Sequence, residues 1–115
     1  MRAPFRLPAS PTKREIVAKY FRALGEPSRL RILALLREEG ELSVGEFALR
    51  LGIHQPSASS HLACLRWCGF VFARRDQRVV RYRIADERVT AIVDLADALL
   101  EENERRLAAC SRTER

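Results

Sequence analysis

Four of the chain's five glycines, Gly25, Gly40, Gly52 and Gly69, each stand at the end of a run whose apolar residues recur at helical spacing. Helices end readily at glycine. A chain cut at these points folds as a set of short helices, and no single long rod or continuous sheet fits it. Ile16, Val17, Tyr20, Phe21 and Leu24 give the first helix, over 13–24. Pro27 suits the first turn of the second. There Leu30, Ile32, Leu33, Leu35 and Leu36 spread over much of the circumference, which predicts a central core helix. Ser43-Val44-Gly45-Glu46 is a capping box, in which a hydroxyl and a carboxylate satisfy two free backbone N–H groups. It starts a short helix with Val44, Phe47, Ala48 and Leu51 on one face. Pro56 opens another, running to about Cys68. Two short helices joined across Gly52 form a helix-turn-helix pattern.

After Gly69 the residue types change. Phe70-Val71-Phe72 and Val79 to Ile84 are rich in β-branched and aromatic residues, with polar Arg74-Arg75-Asp76-Gln77-Arg78 between them. This predicts a β-hairpin with a basic tip. Asp86 then caps a final helix with Val89, Ile92, Val93, Ala96, Leu99 and Leu100 along one stripe. The expected fold is mainly α with a small β-hairpin, a winged helix-turn-helix acting as a homodimer. At 115 residues the chain makes one domain, read over 13–110. A flexible arm with Pro4, Pro8 and Pro11 is expected over 1–12, and a short tail over 111–115. No run of about eighteen apolar residues is present, and residues 1–12 lack the apolar centre of a signal peptide. A cytoplasmic protein with no membrane partner is expected.

The net charge is +6, and 19 of the 21 basic residues are arginine. Arginine forks suit phosphates and guanine edges, so double-stranded DNA is the first partner to consider. Gln55, Ser57, Ser59, Ser60 and His61 crowd the first turns of the second helix of the motif. Short polar side chains at a helix N-terminus reach phosphates and base edges. In the hairpin, Arg75 and Arg78 are placed to hold the flanking backbone or minor groove. One such unit is small, and two on a two-fold axis would read a palindrome. The amphipathic first and last helices carry the apolar surface for that contact.

Three cysteines, an odd number, argue against a disulfide framework. Cys64 and Cys68 lie four apart on one helix, so both sulfurs share a face. Two thiolates so placed can grip one soft ion. Two are few for a tight site, which makes Cys110 the natural third and leaves His61, three residues before Cys64, as another neighbour. Free cysteines are also common as small core residues. No H-E-x-x-H, G-x-S-x-G or P-loop pattern occurs, and no enzyme is expected.

Several stretches resemble the ArsR/SmtB metal-responsive repressors. Ala23-Leu24-Gly25-Glu26-Pro27-Ser28-Arg29-Leu30-Arg31-Ile32-Leu33 is similar to the family's A-L-[AG]-[DE]-P-[ST]-R-x-x-I-L. Residues 41–47, 57–65 and 75–83 continue the resemblance, which spans about 13–105. It implies a dimeric winged-helix repressor that leaves its operator when metal binds. Arsenite and many cadmium sensors open the third helix with E-L-C-V-C-[DE]-L, and here Ser43 and Gly45 replace both cysteines. Zinc, cobalt and nickel sensors carry D-x-H-x10-H-x2-[EH] in the last helix. Asp86 and Glu102 fit that pattern, but Arg88 and Leu99 replace both histidines. What remains is similar to the CmtR-type cadmium/lead sensors, with C-x3-C in the recognition helix and a third cysteine near the C-terminus. That likeness implies Cys64, Cys68 and Cys110 as ligands and Cd or Pb as inducer, with As(III) or Hg as alternatives. A thiol-redox repressor of the same fold is the rival reading.

Overall fold

The computed structural model describes residues 12–114, except for the side chains of Arg105, Leu107 and 109–114. The expected arm, save Thr12, and the Cys110 side chain therefore lie outside the described residues. The elements run α1 Lys13–Leu24, α2 Pro27–Glu39, β1 Leu42–Ser43, α3 Val44–Leu51, α4 Gln55–Trp67, β2 Val71–Asp76, β3 Val79–Ile84 and α5 Glu87–Glu114.

Side-chain caps fix most helix starts. Thr12 belongs to the first helix, since it forms a capping box with Glu15. Ser43 and Glu46 form the expected second box: the Ser43 N–H donates to Glu46 Oε1 at 2.8 Å and the Glu46 N–H to Ser43 Oγ at 3.3 Å. Asp86 accepts from the Arg88 N–H at 2.8 Å as α5 begins. Gly52 closes α3 at φ 67, a left-handed conformation that sets the turn into α4.

Ile32, Leu33 and Leu36 of α2 are buried at the centre, against Phe47 of α3 and Ala58, Leu62 and Leu65 of α4. Leu42, Phe70, Val71 and Val89 close the core from the sheet and α5. Tyr20 packs edge-on against Phe70, with ring centroids 5.3 Å apart.

The sheet departs from the expected hairpin in two ways. It has three antiparallel strands in the order β1-β3-β2, because Leu42 pairs with Tyr82 and Ser43 with Arg81. Pairing also runs further out, with Arg74, Arg75 and Asp76 opposite Arg81, Val80 and Val79. The basic tip over 74–78 thus shrinks to Gln77 and Arg78, and Gln77 takes a φ of 61. Strand residues outlast the apolar pattern here because the ladder uses backbone groups, whatever the side chains. Helix α5 continues to Glu114, so no change of element marks the boundary expected after residue 110. No described helix is long and apolar enough to cross a membrane.

Much of the apolar stripe on α1 and α5 remains uncovered. Phe21 is 60% exposed, Leu95 70% and Leu99 60%. Isolated exposed apolar residues are ordinary, but Phe21 also lines an apolar groove with Ile92, Val93 and Ala96 of α5, and a continuous patch of this kind marks a contact surface.

Candidate DNA interface and thiol pair

Helix α4 divides its faces cleanly. Ala58, Leu62 and Leu65 point into the core, and Gln55, Ser57, Ser59 and Ser60 are exposed on the other side. His54 occupies the N-cap position without a capping side-chain hydrogen bond. Pro56 has no N–H and Ala58 bonds the His54 carbonyl, so the start of α4 leaves the Gln55 and Ser57 N–H groups without a side-chain cap, next to three exposed serines, which suits phosphate oxygens. His61 lies apart from that set. It is half-buried, and its Nδ1 accepts a hydrogen bond from Arg29 Nε at 3.2 Å. Arg29 also donates to the Ala23 carbonyl at 3.1 Å, tying α2, α4 and the end of α1 together. Arg29 and His61 are 32 residues apart, so no local spacing signals the pair.

The sheet sorts its five arginines by partner. Arg74 forms a two-pronged bond to Glu41, at 2.8 and 2.9 Å. That bond holds the Glu41 carboxyl below its ordinary range. Arg81 lies 3.3 Å from Asp76 and 3.5 Å from Glu46. Arg83 stacks over the Phe72 ring at 5.2 Å. Arg75 and Arg78 are exposed and make no ion pair among the described residues, so they are the arginines available to a phosphate.

Cys64 and Cys68 are half-buried free thiols, four residues apart where α4 ends. Burial pushes the Cys68 thiol up first, and Cys64 adds to the shift; the Arg29 and Lys19 charges pull it down. The pair lines a groove of about 490 Å³ between α1, α2 and α4, with Lys19, Arg22, Glu26, Arg29 and Trp67 around it. Trp67 is 78% exposed, and Lys19 Nζ sits 5.7 Å from its ring centre. Two cysteines four apart can offer a soft ion at most two of its ligands. No third His, Cys, Asp or Glu joins them among the described residues. His61 faces Arg29 instead. The sequence reading missed Arg22, Lys19 and Trp67 as walls of this site, although Trp67 adjoins Cys68 in the chain.

A core of short helices, a helix-turn-helix over α3 and α4, and a sheet beside its exposed serines define a winged helix-turn-helix DNA-binding domain. Residues 26–72 match the model of the bacterial regulatory protein, arsR family. A probable mercury resistance operon repressor of Streptomyces lividans is 42% identical over 101 residues, 88% of this chain and 80% of the relative. The transcriptional regulator CmtR of Mycobacterium bovis is 40% identical over 85 residues, 73% of this chain and 71% of that one. A homodimeric winged helix-turn-helix DNA-binding domain from Mycobacterium bovis superimposes with a TM-score of 0.71 at 34% identity. That match covers 81% of this chain and 90% of the other. The chain belongs to the ArsR family of transcriptional repressors.

Proposed function

We propose that this chain is a metal-sensing repressor which, as a homodimer, binds a palindromic operator and leaves it when a soft ion occupies Cys64 and Cys68. The observation that carries this reading is the single groove that Cys64 and Cys68 both line, one to two turns along the helix from the exposed serines. Gln55, Ser57, Ser59 and Ser60 work in the major groove. His61, held by Arg29, sets the helix from behind, and Arg75 and Arg78 hold the flanking backbone or minor groove.

Cys64, Cys68 and Cys110 supply the sulfurs, with Cd or Pb favoured and As(III) or Hg as the other thiophilic inducers. Cys110 comes from the same chain or from the second subunit. Fastening the C-terminal half of α4 to the end of α5 tilts or stiffens the reading helix, so the dimer no longer engages two half-sites together. Couplings of this kind are worth about 1–3 kcal/mol. The uncovered faces of α1 and α5 supply the dimer contact.

Titrating reduced protein with Cd(II), Pb(II) and Zn(II), and following the ultraviolet thiolate-to-metal absorption, tests the ligand set. A band saturating at one equivalent per protomer and weakened in Cys110→Ser is expected. A band indifferent to Cys110 removes that ligand, and no band removes the metal reading.

The same two half-buried thiols on one groove support a second reading, a thiol-redox repressor of this fold. That protein would release DNA on peroxide treatment in the presence of a metal chelator, with a disulfide visible on a non-reducing gel.

A further inference from the structure

We propose that the groove beside Cys64 and Cys68 takes its soft ion from an anionic complex with a low-molecular-weight thiol rather than as a bare cation. The inference rests on the thiol-ion reading above and concerns the form in which the ion arrives.

Charge is the first ground. Lys19, Arg22 and Arg29 line the groove against one acid, Glu26. That carboxylate already accepts the Ser28 N–H at 2.7 Å. A bare divalent cation meets three positive groups on its way to the sulfurs, and an anionic complex is drawn in by them. Size is the second ground. A volume of about 490 Å³ lies within the usual range for small-molecule pockets and far exceeds the space of one ion. The exposed Trp67 ring offers an apolar wall for the carrier's carbon atoms.

The exchange balances without any further reactant. Cys64 forms a sulfur–ion bond as one carrier sulfur leaves, and the proton lost by the Cys64 thiol goes to the departing carrier thiolate. Cys68, which lines the same groove, repeats the step with the second carrier sulfur.

The test is stopped-flow transfer of Cd(II) to the full-length reduced protein from two carriers, mercaptoacetate, whose complex is anionic, and 2-mercaptoethanol, whose complex is neutral. Emission of Trp67, the chain's one tryptophan, reports arrival beside Cys68. Each rate is divided by that of the same complex delivering Cd(II) to dithiothreitol, which removes the carriers' own lability. The expected ratio favours mercaptoacetate by about tenfold or more at low salt. It falls toward unity at high salt and in the double variant Lys19→Gln/Arg22→Gln. Equal normalised rates, or a preference that survives both salt and the double variant, overturn the proposal. If aquated Cd(II) also gives no thiolate-to-metal band, the metal reading fails first and this inference falls with it. A band with carrier-independent transfer overturns the inference alone.

Discussion

The Arg29 guanidinium holds His61 of α4 with one nitrogen and the end of α1 with another, and its charge reaches Cys68. Replacing it with methionine leaves the Ala23 carbonyl and the His61 ring without these donors. Hydrogen bonds from a charged group are worth about 1.5–3 kcal/mol. Urea unfolding of Arg29→Met is expected to show a loss of that order, and an unchanged midpoint would mean the pair is ornamental. The Cys68 thiol carries a pH consequence. Its pKa is raised, so the folded chain holds this proton more tightly than the unfolded chain does. The resulting stability is whole below the ordinary thiol range and fades as pH rises through the shifted value. The proposed ion binding would run the other way, because both thiols must release protons first. Cd(II) affinity, measured by competition with a chelator, is expected to fall steadily from mildly alkaline to acid pH. A flat profile would exclude thiolate ligands.

At the scale of elements, the turn between α3 and α4 depends on Gly52. A Cβ there would touch nothing within 4 Å, so the cost of Gly52→Ala is conformational, from φ +67. About 1 kcal/mol is expected from thermal unfolding, the penalty for a left-handed non-glycine residue. Phe47→Ala, fully buried between α2 and α4, should cost about 3–5 kcal/mol in the same experiment. The helices were legible because their ends carry local signals: Ser43 with Glu46, Asp86, Pro27 and the glycines. Strand β1 was not, since Leu42 and Ser43 are too short to show alternation and are strand only by pairing with β3. The outer wing was misjudged for the same reason, as Arg74 to Asp76 lack strand-like side chains but keep the ladder. Of the candidate site, the sequence shows what is local: the Cys64–Cys68 spacing and the run of serines, which the fold leaves lining a groove and exposed. Arg29, Lys19 and Arg22 reach the thiol groove by folding alone, and nothing near them in sequence announces it.

For the molecule as a whole, the proposed dimer would meet through the open faces of α1 and α5. Leu95 and Leu99 stand exposed there in a single chain. Leu95→Glu/Leu99→Glu is expected to sediment as a folded monomer and to bind operator DNA at least about tenfold more weakly, since half-sites would be engaged singly. A dimer of unchanged affinity would place the contact elsewhere. The net charge of +6 adds a salt-sensitive share to DNA binding. The central claim is that one helix reads DNA with its first half and is controlled through thiols on its second. Fluorescence anisotropy of a labelled fragment spanning the promoter of the chain's own gene, with and without Cd(II), tests it most directly. Wild type is expected to lose about 5- to 150-fold in affinity on adding the ion, and Cys64→Ser to bind DNA normally and ignore it. Release from Cys64→Ser equal to that of wild type would contradict the account.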